Sequence, residues 1–456
     1  MDISSNNQKE FVLFGASGDL AKEKLYPALF DVFQPTDTIR YIGYARTVIR
    51  NDAFKKIVRD SVLKKYPEAD AKKLDIFIDR FEYCSGTYDA HGIEQLKRNS
   101  STVDRYYYLA LPSSYTLLKD IVDGLSVHGL NKKSIIVLEK PFGSDKLSAK
   151  RLNELLLKHF SEDQIYRIDH YLAKDLVQDM LAMRFANPIF WPIWNNTYIE
   201  SITISIKESE GIRDRGQYYD QAGAIKDMIQ NHAMQLLAFT VMDQPKSLSA
   251  SAIHKEKIRI FENIRLFNND TLHTLAIGQY EGYRNEQHIP ADSMTETYAS
   301  MTVEIDVPEW RGVPIRIVSG KKLDEKTTDI IITFKKTNSN LWEKEGCQIE
   351  RNQIRINVQP HNDIHLRLNS EFNSTQKCAL PINLHFGFKD NKHLLKDPYE
   401  NALRDLFNND QSIFIGSQEI LLAWKFIDTV LETLNISRAK NLEIYDHLHL
   451  PRTEQL

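Results

Sequence analysis

The sequence predicts an α/β plus α+β chain: an N-terminal Rossmann-like, doubly wound sheet, then a C-terminal domain with a large, mainly antiparallel sheet and flanking helices. Three observations carry this. A chain of 456 residues exceeds what one small core organises and suggests two domains. Short apolar runs alternate with helical stretches through the first third, the signature of parallel βαβ units. From about Asn196 the pattern turns to many short strands with few intervening helices, which favours antiparallel pairing.

In order, Phe11-Val12-Leu13-Phe14 reads as a buried strand, followed by a glycine turn and a helical stretch through about Phe33. Ile39 to Tyr44, Tyr106 to Leu111 and Ile135 to Leu138 are the next strands. Later, Ile202, Ile204 and Ile206 alternate with Ser201, Thr203 and Ser205, the period of a half-buried strand. Further strands are predicted at Ile258–Phe261, Thr274–Tyr280, Ser300–Ile305, Ile315–Val318, Asp329–Phe334, Ile354–Val358 and Ile364–Leu368. Two long helices are predicted, at about Tyr218–Val241 and Gln418–Leu434. The boundary falls near Tyr166 to Asn196, giving domains 1–170 and 171–456. There is no internal repeat or low-complexity segment.

Composition narrows the function classes. Hydrophobic residues at 42% and charged residues at 26% are ordinary for a soluble globular chain. A formal charge of -4 supplies no broad basic field, so neither nucleic acid nor an anionic membrane is an expected partner. Any anion must be held by a few placed cations. Cys84, Cys347 and Cys378 are far apart and form no CxxC pair, which is neither a disulfide framework nor a zinc site. Met1 to Glu10 is polar, and no apolar run approaches the roughly 20 residues that span a bilayer. A reducing, cytoplasmic location is the expectation.

Gly15-Ala16-Ser17-Gly18-Asp19-Leu20-Ala21 follows the first strand and opens a helix. Small residues there let the backbone approach a pyrophosphate, which the helix's free N–H groups and dipole favour. The spacing is GxxGxxA rather than GxGxxG, so a plain glycine turn stays open as the alternative. The second strand ends at Tyr44-Ala45-Arg46, where an NAD-preferring fold usually carries a carboxylate about 20 positions past the glycines. Arg46 suits the 2′-phosphate of NADP through paired charge-assisted bonds, unless it is only a surface arginine. Glu139-Lys140-Pro141-Phe142-Gly143 follows the fourth strand, where ligands gather in such sheets. Lys140 there could reach both cofactor and substrate; a purely structural Lys-Pro turn is the alternative.

The densest polar motif is Arg167-Ile168-Asp169-His170-Tyr171-Leu172-Ala173-Lys174-Asp175, ahead of a helix running to about Asn187. His170, Tyr171 and Lys174 offer donors beside a helix N-terminus, a cradle for phosphate. No metal is expected, because Asp169 and His170 have no further ligands at a recognisable spacing. His232 lies in Asp227-Met228-Ile229-Gln230-Asn231-His232-Ala233-Met234-Gln235, and at helical spacing it shares an apolar face with Met228 and Leu236. A hydrogen-bonded core histidine is one reading; a general base with Asp169 as its partner is the other. Burial disfavours the imidazolium and a carboxylate favours it, a balance that can hold a base near neutrality.

The stretches GASGDLAKEKLYPALF, IGYAR, YYYLALP, VLEKPFG, RIDHYLAKDLVQDMLAMRFANPIF, DMIQNHAMQLL, GVPIRIVSGKKL, VQP and DPYE resemble the glucose-6-phosphate dehydrogenase family along nearly the whole chain. The RIDHYL-x-K and QNH segments together are the specific ones. The resemblance implies that His232 removes the C1 hydroxyl proton of glucose 6-phosphate while Asp169 orients and charge-stabilises it, hydride passing to NADP to leave a lactone. It implies that His170, Tyr171 and Lys174 hold the 6-phosphate. Glu208 and Asp227 would bind sugar hydroxyls; Lys321, Lys326 and, more peripherally, Gln359 would also touch substrate. Lys24 and Lys140 would stand where cofactor and sugar meet. Family members pair as homodimers through the large sheet.

Some positions depart from the family pattern. Ala173 stands for a glycine, Asp175 for a glutamate and Ala233 for a leucine, and Gly211 to Gln217 interrupts a glycine-rich stretch, which bears on Glu208. The second, structural NADP site of some members is expected to be absent, with Val318, Thr327 and Ile331 at its positions. Two other functions remain open at this point: a sugar oxidoreductase without a phosphate cradle, and a silent NADP-binding regulator.

Overall fold

A computed structural model of the chain describes residues 9–97, 103–112, 114–267, 274–337, 341–342, 349–373, 378–387, 396–435 and 442–446. The chain forms two compact units, one of Met1–Ala173, Ser249–Ser251 and Lys396–Leu421, the other of Lys174–Leu248, Ala252–Leu395 and Leu422–Leu456.

The first unit is built on six parallel strands: β1 (Lys9–Phe14), β2 (Arg40–Ala45), β3 (Phe81–Ser85), β4 (Asp104–Leu109), β5 (Ser134–Leu138) and β6 (Ile165–Arg167). Their order is β3-β2-β1-β4-β5-β6, the doubly wound arrangement whose reversal between β1 and β4 opens a crevice at the strands' carboxyl ends. The central strand is apolar without alternation because helices cover both faces: Phe11, Val12, Leu13 and Phe14 are all buried. Between β1 and β4, Glu10 faces Arg105 in register, and the two buried groups pair at 2.8 Å. Lys396–Leu421 joins this unit through Arg167, whose buried guanidinium bonds Glu162 at 2.8 Å and Asn153 at 3.0 Å, and whose carbonyl accepts the Ile415 amide at 3.0 Å.

The second unit carries β7 (Ile199–Lys207), β8 (Ile264–Leu266), β9 (Leu275–Tyr280), β10 (Tyr298–Ile305), β11 (Ile315–Gly320), β12 (Thr327–Phe334), β13 (Gln353–Gln359), β14 (Asp363–Asn373), β15 (Cys378–Gly387) and β16 (Leu442–Tyr445). They form one sheet, β15-β14-β13-β12-β7-β11-β10-β9-β16, with β8 beside β10; most pairs are antiparallel, while β7–β11 and β9–β16 are parallel. The alternation in β7 has the predicted sense over Ser201 to Ile204, with Ile202 and Ile204 fully buried and Ser201 and Thr203 only partly so, but not at Ser205, which is buried like Ile206.

Three expectations need correction. Ile258–Phe261 is not a strand but the end of a helix, Ala250–Glu262. Four residues cannot separate the two periods, whereas burial of Ile253, Lys257, Ile260 and Phe261 follows the helical i, i+4, i+7, i+8 rule. The long helix predicted at Tyr218–Val241 is three segments: Gly216–Ala224, a π-helical Ile225–Ala233 and Met234–Val241. Finally, the expectation of no disulfide framework does not extend to every cysteine: Cys84 is in no disulfide, its thiol 3.3 Å from Gln95 Oε1, but Cys378 is disulfide-bonded. Spacing along the chain says nothing of approach in space.

Gly223 causes the helix break. Its φ of 67° and ψ of 178° lie in a region open essentially to glycine, and a Cβ there would stand 2.3 Å from Glu296 Oε1. The buried Glu296 carboxylate accepts the Ile225 amide at 3.4 Å and its backbone carbonyl accepts the Ala224 amide at 3.0 Å. A carboxylate thus meets the free N–H groups where the second segment begins, which the helix dipole favours.

Candidate active site

In the first unit the glycine turn leaves β1 at Gly15, whose φ is 82° and whose Cβ, were there one, would lie 2.2 Å from the Ala110 carbonyl oxygen. Only glycine fits there, and the lack of a side chain is what lets a pyrophosphate approach. The Gly15 amide bonds the Tyr44 carbonyl at 2.9 Å and the Gly18 amide bonds the Gly15 carbonyl at 2.9 Å. Ala16 is buried, Ser17 and Leu20 are half-buried, and Gly18 and Asp19 are exposed. The helix that follows opens on a π-helical turn, Ala21–Leu25, and continues as Tyr26–Val32.

Arg46 is exposed directly after β2, its guanidinium 5.6 Å from the centre of the Tyr88 ring. The strand end carries no carboxylate. These residues fit a dinucleotide: a side-chain-free turn for the pyrophosphate and a cation shelved on an aromatic ring for the ribose side. Past β4 and β5 an apolar cleft is lined by Leu109, Leu111, Pro112, Leu138, Glu139 and Pro141, among others.

Glu139 and Lys140 follow β5. Burial lifts the Glu139 carboxyl to about 7, against the lowering effect of the Tyr108 hydroxyl, Lys140 and Tyr399; the Tyr108 bond measures 2.5 Å. Lys140 is half-buried. Lys24 is exposed on the helix after the glycine turn and pairs with Asp397 at 3.7 Å. Asp397 caps the helix Pro398–Phe407, which explains where the DPYE stretch sits. After β6, Asp169 is buried and its Oδ1 accepts the Tyr171 amide at 2.9 Å, which fixes the turn that presents the next two side chains. The His170 and Tyr171 rings stand 5.0 Å apart; Tyr171 is buried and His170 half-buried.

The second unit brings together three pairs. Glu208 and Lys321 each follow the end of a strand, β7 and β11, which run parallel with Lys207 opposite Gly320. Their side chains form an ion pair, the Glu208 amide bonds the Gly320 carbonyl at 2.9 Å, and the Lys321 ammonium lies 5.1 Å from the centre of the Tyr219 ring. The interrupted stretch 211–217 therefore leaves Glu208 anchored. Lys174, at the N-cap of the helix Asp175–Phe185, donates to Gln359 at 2.6 Å. Asp227 is buried and accepts from Arg215 and from the Tyr218 hydroxyl, each at 3.3 Å. Lys326 is exposed ahead of β12 and joins none of these pairs.

His232 is buried in the π-helical segment, where every residue but Lys226 is buried. The Asn231 side chain bridges this turn, donating to the Asp227 carbonyl at 3.0 Å and accepting the His232 amide at 2.6 Å. A π turn adds one residue and removes the simple apolar face shared by Met228, His232 and Leu236; such turns are frequent at functional sites. Arg215, Tyr218, Asn231 and Glu296 are the residues that sequence reasoning missed. Arg215 lies in the stretch that reads only as a departure from pattern, and no periodicity marks the others.

The family model for the NAD-binding domain of glucose-6-phosphate dehydrogenase matches residues 12–179, and the model for its C-terminal domain matches residues 181–450. The chain belongs to the glucose-6-phosphate dehydrogenase family. A glucose-6-phosphate 1-dehydrogenase of Chlamydia pneumoniae is 34% identical, the alignment covering 92% of this chain and 88% of the relative. One from Caenorhabditis elegans is also 34% identical, over 97% of this chain and 89% of the relative. A solved glucose-6-phosphate dehydrogenase in complex with its substrate superposes with a TM-score of 0.89 at 30% identity, covering 98% of this chain and 96% of that one. The family's dinucleotide-binding domain accounts for the glycine turn and the strand order, so the cofactor is a nicotinamide dinucleotide. Among the described residues, no helix is long and apolar enough to cross a membrane.

Proposed function

We propose that this chain oxidises glucose 6-phosphate at C1 to 6-phosphogluconolactone, with NADP as acceptor and His232 as general base. The observation that carries the reading is the set of groups kept in a family member: a buried imidazole, a buried carboxylate before a phosphate-type cradle, and paired polar groups suited to sugar hydroxyls.

Oxidation removes a proton from the C1 hydroxyl and a hydride from C1. His232 accepts the proton, from a buried position within the π-helical segment. Asp169 is its proposed partner, orienting the ring and stabilising the imidazolium formed. His170, Tyr171 and Lys174 hold the 6-phosphate, whose roughly two negative charges favour convergent donors. The bond from Lys174 to Gln359 already orders the ammonium, so less side-chain freedom is lost when phosphate binds. Glu208 and Asp227 accept from sugar hydroxyls, their carboxylates steadied by Lys321 and by Arg215 with Tyr218. Lys326, Lys24, Lys140 and Gln359 complete the substrate rim. The nicotinamide, when bound, supplies the hydride acceptor. Arg46 on Tyr88, with no carboxylate at the strand end, favours the 2′-phosphate of NADP over the bare ribose of NAD. A cytoplasmic homodimer is part of the same proposal.

The test is a steady-state assay of the purified chain with NADP and NAD against glucose 6-phosphate, free glucose and galactose 6-phosphate. NADPH absorbance should rise with glucose 6-phosphate and NADP, far above free glucose. Equal use of free glucose would replace the reading with a broader sugar oxidoreductase. Cofactor binding without turnover on any sugar phosphate would leave a silent binder.

A further inference from the structure

At the edge of the large sheet, β14 and β15 are antiparallel neighbours in which His365 stands directly opposite His385 and Asp363 opposite Gly387. Positions 363 and 365 are two apart on one strand, so all three polar side chains project from one face. They converge. His365 Nε2 lies 3.2 Å from Asp363 Oδ1, His385 Nε2 lies 3.1 Å from Asp363 Oδ2, and the two rings stand 4.6 Å apart at 48°. One ligand atom from each residue lies within 4.8 Å of the others. Gly387 makes the convergence possible, because a Cβ there would stand 2.7 Å from His385 Cε1 and block the ring.

We propose that Asp363, His365 and His385 form a structural site for a zinc-class divalent ion that clamps β14 to β15. Bonds of about 2.0–2.2 Å from a tetrahedral ion to imidazole nitrogen and carboxylate oxygen place the ligand atoms roughly 3.3 Å apart. The observed nitrogen–oxygen separations, 3.2 Å to Asp363 Oδ1 and 3.1 Å to Asp363 Oδ2, are each close to such an edge, so rotation of the side chains brings one oxygen and both nitrogens around an ion. Asp363 is buried, whereas the His365 and His385 side chains are 39% and 48% exposed, which gives the ion an entry path and leaves the fourth position to water. Two imidazoles with one carboxylate suit zinc, nickel or copper; magnesium and calcium prefer oxygen throughout.

A cation already seated on Asp363 would defeat the site, and the cation on the neighbouring strand is occupied elsewhere. Arg355 on β13 faces His365 in register, but its guanidinium makes two bonds to Asp329, at 2.8 and 3.0 Å. Asn357, opposite Asp363, likewise turns its amide to Asp329 at 2.8 Å. Among the described residues the side-chain hydrogen bonds of Asp363 are those with the two histidines, and Arg355 acts on it only through its charge. Among the described residues β15 is the last strand of the sheet, so an ion there would hold the outermost pair in register.

The experiment uses the full chain, stripped with a chelator and titrated with zinc in competition with a chromophoric chelator, beside His385→Gln and the double variant His365→Ala/His385→Ala. Wild type should take up one zinc per chain, with a zinc-dependent rise in Tm. Each variant should bind roughly 100-fold more weakly or worse and lose the Tm response, while glucose 6-phosphate turnover stays at the wild-type rate. His385→Gln changes a half-exposed edge residue, so it keeps the test meaningful even if the double variant folds poorly. Absence of stoichiometric zinc overturns the proposal, as does zinc bound equally well by His385→Gln. Neither result bears on the dehydrogenase reading, which the sugar assay tests separately.

Discussion

Replacing Gly223 by alanine is the sharpest probe of how the fold positions His232. At φ 67° and ψ 178° an alanine bears a backbone cost of about 1–3 kcal/mol. Its Cβ would also sit 2.3 Å from Glu296 Oε1, so the buried carboxylate must move and release the Ile225 amide. Losing that bond to a buried charged group costs about 1–3 kcal/mol more. Taking the total as about 3 kcal/mol, and about 2–4 °C per kcal/mol for a unit of this size, Tm should fall by about 6–12 °C. The π-helical segment begins two residues later at Ile225 and carries Asp227 and His232, so the base shifts with it. A displacement near 1 Å can cost about 100-fold in rate, and kcat should drop by roughly 10- to 100-fold. The assays are calorimetry and steady-state turnover of Gly223→Ala beside wild type. A Tm within about 2 °C of wild type refutes the strain argument. A lowered Tm with unchanged kcat refutes the claim that Glu296 positions the base.

Other outcomes follow from the same geometry. His232→Asn should lower kcat by about 100-fold or more with little change in KM, as expected for loss of a proton acceptor in the transition state, and a normal kcat removes His232 from that role. Lys174→Ala should raise KM for glucose 6-phosphate by about 10- to 100-fold, the worth of a charge-assisted bond, and leave free glucose unaffected; an unchanged KM rejects the phosphate role. Burial lifts Glu139 from 4.5 to about 7, so the fold favours its neutral form: that stability is complete below about 4.5 and is lost as pH rises through about 7. Glu139→Gln should therefore gain Tm relative to wild type between those pH values, and a Tm difference flat with pH sinks the assignment.

Legibility differed between the two kinds of sheet. Strands buried on both faces, such as Phe11 to Phe14, and strands with strict alternation, such as Ser201 to Ile204, announce themselves because burial acts on every residue or on every second one. Phe81–Ser85, Ile165–Arg167, Ile264–Leu266, Cys378–Gly387 and Leu442–Tyr445 escaped notice. Phe81–Ser85 and Cys378–Gly387 are polar or mixed edge strands among the described residues, and Ile165–Arg167, Ile264–Leu266 and Leu442–Tyr445 are too short to show a period; pairing with a neighbour defines all five. The polar motif around Asp169 and the QNH segment were legible as chemistry, since histidine, carboxylate and lysine cluster there in few residues.

The sequence alone determined the class of fold, the glycine turn, the family and the residue types available for catalysis, because these depend on local composition and period. Only the tertiary structure decided which groups meet within each unit: Glu208 with Lys321, Lys174 with Gln359, Arg215 with Asp227, and Asp363 with two histidines. It also decided that the segment bearing His232 is π-helical behind a glycine break. The reason is physical: a side chain's local pattern reports how it is buried, whereas its partner is set by strand register and turn geometry that bring distant residues together.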